Sequence, residues 1–353
     1  MQSHIRGMLE AGSSDLELHL FLDDRTKGAP PPFEDPRVHA HYVWGRVNAL
    51  ANVLNVTHCA DEIGLDAVVY HNYVPYRADH ARIAFVHDVS FREHPRFFTR
   101  VERMYFAPMR WLVPSADRIA TPSASEKARL IRYGYGRDDQ IDAVPHGVDP
   151  AFRPRSGWSE EALRAALRRF ALPAEFILFV GRLNVRKNIA TLISALPKMA
   201  SRLPLVIAGA PDWKTSDLPA EAARLGVADR VHFLGGVSQE ELEALYASAT
   251  VFCFPSFDEG FGLPPLEAMA SGCPVVSSNA ASLPEVCGDA CLLVDPHDAP
   301  GFAAALDAVI RDGALRERMR AAGLARAGAL TLARCGASLL DVVERAVAGR
   351  TAA

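Results

Sequence analysis

VFCFPSFDEGFGLPPLEAMASG, residues 251–272, reads as an apolar strand, a glycine-punctuated turn and a helix. Pro264 and Pro265 suit a helix's first turn, where an N–H is dispensable, and Gly272 stands just past its end. The amides of Gly260, Phe261, Gly262 and Leu263 are then expected as unpaired N–H groups at the positive helix end, a cradle for an anion or a hydroxyl. Glu259 in the loop and Glu267 inside the first turns flank that cradle. A carboxylate accepts from sugar hydroxyls in pairs, so the two acids suit two different sugar or ribose groups. A first-turn glutamate beside the helix dipole would account for Glu267 alone, but not for the whole segment.

The pattern recurs outward from this stretch. FVGRLNVRKNIATLI (179–193) is again strand, loop and helix: Gly181 allows a tight turn, and Arg182 and Lys187 aim cations at one point beyond the sheet edge, which suits a diphosphate. Arg186 beside them reads as a solvated face. IAFVHDVSFREHP (83–95) puts His87 and Asp88 at a strand's carboxyl end, where ligands of open α/β sheets bind. His87 there either orients a substrate and exchanges a proton near neutral pH or is a satisfied structural histidine.

Strand-length apolar runs alternate with helical patterns along the chain: LELHLFL, AVVYH, IAFVHD, RIATPS and IDAVPHG, then FILFVG, LPLVIAG, VHFLGG, VFCFPS and PVVSS. Such alternation predicts parallel sheets with crossover helices. With 353 residues the chain has room for two such doubly wound, Rossmann-like α/β domains facing a cleft. The boundary is expected in the Pro- and Gly-rich VPHGVDPAFRPRSG, with one domain over 1–155, a second over 156–330, and a helix over 331–353 crossing back. Pro197 should end or kink the helix in IATLISALPKMASRL, and Ser238 with Glu241 forms a capping box. At the start, HIRGMLEA reads as a helix preceding the first strand, whereas a doubly wound domain normally opens with a strand.

Composition narrows the function classes. Hydrophobic residues are 49% and charged residues 23%, which excludes disordered, collagenous and coiled-coil chains. The net charge is −4, and the halves divided at Pro150 carry −3 and −1, so neither has the basic balance of a nucleic-acid binder. Six scattered cysteines without a C-x-x-C pair read as reduced thiols of a cytoplasmic protein. The apolar runs are too short to span a membrane, and the first residues lack a signal-peptide pattern. FREHPRFFTRVERMYFAPMRWL interleaves Arg92, Arg96, Arg100, Arg103 and Arg110 with aromatics against only Glu93 and Glu102. Residues 92–110 therefore suit peripheral contact with an anionic membrane or a diphosphate-linked acceptor, or an amphipathic helix packed on its own domain.

The order FVGRLNVRKN, RVHFLGGVSQEELEALYASA and FPSFDEGFGLPPLEAMASGCPVVSSNAASLPEVCGDACLLVDP closely resembles the retaining glycosyltransferases of family 4, which have the GT-B fold; the likeness spans nearly all of 175–300. E-G-F-G-L-P-P-L-E, with Glu259 and Glu267, matches that family's E-x7-E signature. FVHDVSFREHP, ADRIATPSASEKARLIRYGY and IDAVPHGVDPAF resemble the subgroup that builds O-antigen and exopolysaccharide chains, often as mannosyltransferases. The resemblance implies that the domain over 1–155 is the acceptor side and that the domain over 156–330 binds a nucleotide sugar. It also implies that Glu267 holds the ribose hydroxyls, Arg182 and Lys187 the diphosphate, and Glu259 with the loop amides the transferred sugar, with His87 near the donor sugar and incoming hydroxyl. The donor would be GDP-mannose or a UDP-sugar and the acceptor a glycan or lipid-linked oligosaccharide. No cofactor is expected, and no metal, since no D-x-D occurs. Members usually open with a strand and glycine loop against the donor phosphates, and nothing before Met8 matches this. Leu332 stands where members commonly have an aromatic residue at the start of the last crossing helix. The rival readings are a sugar-nucleotide epimerase of the same fold and a non-catalytic nucleotide-sugar-binding member.

Overall fold

The computed structural model describes residues 2–23, 33–43, 49–212 and 217–351. The chain forms two compact units, Met1–Gly147 with Leu332–Ala353, and Val148–Thr331. The expected boundaries at 155/156 and 330/331 therefore move to 147/148 and 331/332. The reason is local: the Val148 N–H donates to the Leu330 carbonyl at 2.9 Å, Val148 bridges Thr331, and Phe152 is buried in the second unit's core.

The second unit holds six parallel strands in the order Cys291–Val294, Val275–Ser278, Val251–Phe254, Ile177–Val180, Leu205–Ala208, Val231–Gly235. Its first strand is central, and the order reverses between Ile177–Val180 and Val251–Phe254. The runs LVIA, VFCF and VVSS are buried along their whole length, as a parallel sheet covered on both faces requires. The loops that leave the central strands pass so close that a Cβ on Gly209, whose φ is +156°, would lie 1.9 Å from the Gly181 carbonyl oxygen. Only glycine fits there. The helix Ile189–Ala195 stops short of Pro197 and tightens into a 3₁₀ turn over Leu196–Lys198. The capping box of Ser238 and Glu241 heads Gln239–Ser248, both of its hydrogen bonds being made.

The first unit opens with the helix Gln2–Ala11, ahead of the strand Leu18–Asp23. Its described strands do not join into one doubly wound sheet. Leu18–Asp23 pairs in parallel with Val38–Val43, and a separate sheet runs Ala67–His71, Ala81–Phe85, Arg118–Thr121, Ile141–Ala143, also all parallel. The final helix, Leu332–Thr351, belongs to this unit and buries Leu339, Val342 and Ala346 with Ile83 and Phe85 of the larger sheet. Leu332, at the start of this helix, is buried. Two strands carried no sequence expectation: Val38–Val43, whose apolar run is interrupted by His39 and His41, and Cys291–Val294, although its CLLV lies between Gly288–Asp289 and Asp295–Pro296 and is a readable strand signal. All six cysteines are free, and among the described residues no helix is long and apolar enough to cross a membrane.

Candidate active site

In the second unit the two central strands end side by side, and the loops that follow them meet at the point where the strand order reverses. An open α/β sheet binds its ligands at such a point, because neighbouring connections leave there in opposite directions and open a crevice. After Ile177–Val180 the chain makes a short 3₁₀ turn, Val185–Lys187, capped by the Asn184 side chain, which accepts from the Lys187 N–H at 3.2 Å. This turn delivers Lys187 into the crevice, where its Nζ donates to Glu259 Oε1 at 2.6 Å and lies 5.0 Å from the centre of the Phe254 ring. Ser256 Oγ donates to the same oxygen at 2.6 Å. Glu259 Oε2 faces Arg186 NH1 at 3.9 Å. Burial alone would raise the Glu259 carboxyl, but the Lys187 and Arg186 charges hold it below the ordinary carboxylate range. It is therefore a fixed anion with a defined orientation.

Arg186 is not the solvated side chain that its neighbourhood in the sequence suggests. Besides facing Glu259, it donates to the Asp258 carbonyl at 3.3 Å, and its own carbonyl accepts from the Phe257 N–H at 2.9 Å, so it ties the two loops together. Arg182 is exposed and, among the described residues, forms no ion pair with a carboxylate, so its charge remains available beyond the sheet edge.

The helix Leu263–Ala270 starts at Gly262, which adopts φ +118° and provides no side-chain cap. A Cβ there would lie 2.8 Å from Leu283 Cδ2. Gly260 and Phe261 make further interactions within the protein, and Pro264 and Pro265 carry no N–H. Ser282 Oγ fixes the loop from behind by donating to the Glu259 and Phe261 carbonyls. Glu267 sits one turn into the helix and accepts from the Tyr246 hydroxyl at 3.0 Å. Burial pushes its carboxyl up to about 7, against the opposing pull of the tyrosine bond.

His87 and Asp88 belong to the first unit, directly after the strand Ala81–Phe85. The turn is held by Asp88, which accepts from the Ser90 N–H at 3.1 Å, and by buried Glu126, which accepts from the Val89 N–H at 2.6 Å. His87 stacks between His71 at 5.1 Å and His146 at 5.8 Å, between ring centres. Burial lowers its affinity for a proton, with Asp88 acting in the opposite sense. The stacked ring nitrogens leave His87 a group that can orient a substrate by a hydrogen bond or exchange a proton. His71 is the last residue of its strand and His146 follows one shortly after its end, so the argument from the carboxyl ends of strands applies to all three. Buried His4, His146 and Cys335 bring donor atoms within 4.8 Å of one another, a grouping that could hold a metal ion and that sequence spacing does not reveal.

Known structures share this architecture. Sucrose-phosphate synthase of Thermosynechococcus elongatus superposes with a TM-score of 0.78 at 22% identity, covering 98% of this chain and 93% of that one. WaaG, a glycosyltransferase involved in lipopolysaccharide biosynthesis, gives 0.74 at 18% identity over 97% and 95%. Anabaena HepE, solved with UDP and glucose, gives 0.72 at 19% identity over 87% and 86%. The fold is that of a GT-B glycosyltransferase, two Rossmann-like units in one chain.

The sequence comparisons carry this further. A family model described as "Glycosyl transferases group 1" matches residues 167–326, and one described as "Glycosyltransferase Family 4" matches residues 4–152. O-antigen chain mannosyltransferase B of Escherichia coli is 35% identical over 285 residues, 78% of this chain and 74% of that protein. D-inositol 3-phosphate glycosyltransferase of Acidothermus cellulolyticus is 37% identical over 227 residues, 60% of this chain and 49% of its own length. The chain belongs to the family 4 glycosyltransferases, and it is an enzyme that transfers a sugar.

Proposed function

We propose that the chain transfers mannose from GDP-mannose to a hydroxyl of a glycan or lipid-linked acceptor during surface polysaccharide assembly, with retention at the anomeric carbon. The observation that carries this reading is the Lys187–Glu259–Ser256 cluster at the sheet's reversal point, with Glu267 on the helix that follows. Glu267 takes the ribose hydroxyls. Arg182 and Lys187 stand at the diphosphate, whose negative charge grows as the sugar departs, and stabilise it without a metal. Glu259, oriented by Lys187 and Ser256, accepts from hydroxyls of the transferred sugar. Glu259 and Glu267 share one loop-helix unit, whereas a hydrolase flanks the scissile bond with its two acids. The acceptor therefore attacks on the face the leaving group vacates, and the departing phosphate takes its proton. His87, held between two histidines, orients the incoming hydroxyl.

The likeness to O-antigen chain mannosyltransferase B supports mannose and a polysaccharide acceptor; the inositol-phosphate enzymes among the relatives support a phosphorylated cyclitol instead. Incubating the protein with GDP-mannose or UDP-sugars, each with a lipid-linked oligosaccharide or inositol 3-phosphate, separates these readings. Mannose transfer to the oligosaccharide is expected. Consumption of a UDP-sugar with inositol phosphate would replace the proposed donor and acceptor while leaving the site intact.

A further inference from the structure

The first and last helices of the first unit meet backbone to backbone. A Cβ on Gly7 would lie 2.1 Å from the Leu332 carbonyl oxygen, and one on Gly336 would lie 1.9 Å from the Gly7 carbonyl carbon. Neither glycine can be replaced without parting the helices, so Gln2–Ala11 and Leu332–Thr351 cross at one fixed place. His4 stands about one turn before Gly7, and Cys335 directly before Gly336. The crossing sets both side chains beside His146, in the segment that follows the strand Ile141–Ala143. All three are buried, and their donor atoms lie within 4.8 Å of one another.

Packing alone does not account for a histidine at position 4. The side chain is 1% exposed, its ring packs edge-on against Phe85 at 4.6 Å and His146 at 4.7 Å, and neither ring nitrogen has a hydrogen-bond partner among the described residues. An apolar ring would fill that space without giving up the hydrogen bonds that water offers an imidazole, so the position calls for a partner that the polypeptide does not supply. At Cys335 the Gly147 N–H points to the sulfur. Such a donor favours the thiolate, the form in which cysteine binds metals.

The donor set names the ion. Two imidazoles and a thiolate suit zinc, a borderline-soft cation, whereas magnesium and calcium take oxygen ligands. Zinc ligands about 2.0–2.3 Å from the ion stand roughly 3.3–3.8 Å apart in a tetrahedron, so the three atoms need to close by about 1 Å at most, which side-chain rotation supplies. The other grouping of ligating side chains, Glu17, His19 and His39, is largely exposed, and His19 Nδ1 already lies 2.8 Å from His41 Nε2. That arrangement needs no ion to explain it.

We propose that His4, His146 and Cys335 bind one zinc ion, which clamps the first and last helices of the first unit to the segment after Ile141–Ala143, with water as the fourth ligand. His146 stacks on His87 at 5.8 Å, so the ion also fixes one wall of the histidine stack. Its role is structural: Arg182 and Lys187, proposed for the diphosphate, belong to the other unit, and the missing D-x-D bears on that place alone. The test uses the full chain. Metal analysis of the purified protein should find about one zinc per chain. After stripping with a chelator, cobalt(II) should give the visible bands of a tetrahedral site and a thiolate-to-cobalt charge-transfer band, a readout that needs no variant. Zinc at a hundred times its dissociation constant should slow amide exchange in Gln2–Ala11 and Leu332–Thr351 by about 100-fold. Cys335→Val and His4→Phe keep the buried volume filled, and each should lose at least about 100-fold in zinc affinity, since a ligand is worth no less than an outer-shell partner. His19→Gln with His39→Gln should keep both the affinity and the slowed exchange. A cobalt spectrum without the thiolate band, unchanged affinity in Cys335→Val, or tight binding lost with the surface histidines instead would overturn the proposal. Copper as the resident ion would overturn the assignment to zinc.

Discussion

Glu267 carries a carboxyl pushed up to about 7 by burial, and two pH dependences follow. Because its folded value lies above the ordinary 4.5, its contribution to stability is fully present below 4.5 and is lost as pH rises through about 7. Glu267→Gln should therefore unfold like the parent at pH 4 and resist urea better at pH 8, by roughly 2–3 kcal/mol. Binding runs the other way. Ribose hydroxyls donate to the ionised form, so donor affinity in calorimetry should climb from pH 6 to pH 8, and Glu267→Gln should lose about 1.5–3 kcal/mol of it together with the slope. Unchanged affinity in that variant would refute the ribose role. Lys187 poses a different test, because it neutralises a buried carboxylate as well as facing the proposed diphosphate. Lys187→Ala alone strands Glu259 in the interior, at a cost on the order of 3–5 kcal/mol of stability. Adding Glu259→Gln should restore most of that stability but not turnover. Normal saturated turnover in the double variant would remove both side chains from the chemistry.

Among the elements, the helix Arg100–Phe106 and the short turn Met109–Leu112 present a surface that packing inside the unit does not explain. Phe91, Phe98 and Phe106 pack on one another, while Val101 at 75%, Met104 at 74% and Trp111 at 56% exposure face outward beside Arg100, Arg103 and Arg110. Apolar side chains rimmed by arginines suit an anionic membrane surface. Vesicles containing phosphatidylserine should cosediment the protein at low salt and release it as screening shortens to about 10 Å near 0.1 M. Val101→Ser with Met104→Ser should weaken that binding at every salt concentration, and binding indifferent to both changes would leave this face unassigned. The same stretch shows how far the sequence could be read. Its arginine and aromatic content was plain, but which aromatics turn inward depends on neighbours distant in the chain. Glu259 and Glu267 were legible because one strand-turn-helix carries both. Arg186 was misread because its partners, Asp258 and Glu259, lie more than seventy residues away. Tyr246 and Ser256 gave no signal for a similar reason, being ordinary residues of a helix and a loop until folding brings them to the carboxylates. The alternation of strands and helices was readable, whereas the split of the first unit into two sheets was not, since an apolar run does not name its neighbours.

At the scale of the whole molecule, the two units differ in how completely their sheets are closed, and the residues proposed to hold the nucleotide, its diphosphate and the transferred sugar's hydroxyls fall in one of them. Val148–Thr331 carries Arg182, Lys187, Glu259 and Glu267 around a continuous six-stranded sheet. Among the described residues, the other unit leaves two strand edges unpaired beside a large cavity. Heating should therefore give two transitions, the lower from the first unit, because unfilled volume and half-exposed Leu18, Phe21 and Val69 forfeit packing that a closed core would gain. A ligand stabilises only what it binds. GDP-mannose at a hundred times its dissociation constant should raise the upper transition by the equivalent of about 2.7 kcal/mol, some 5–10 °C for a unit of this size, and leave the lower one in place. Limited proteolysis across the melt would assign each transition to its unit. UDP-glucose should shift the upper transition less; an equal shift would remove the preference for GDP-mannose while keeping the donor site where it is proposed. Movement of the lower transition alone would place the donor on the first unit and overturn the roles given to Glu259, Glu267 and Lys187.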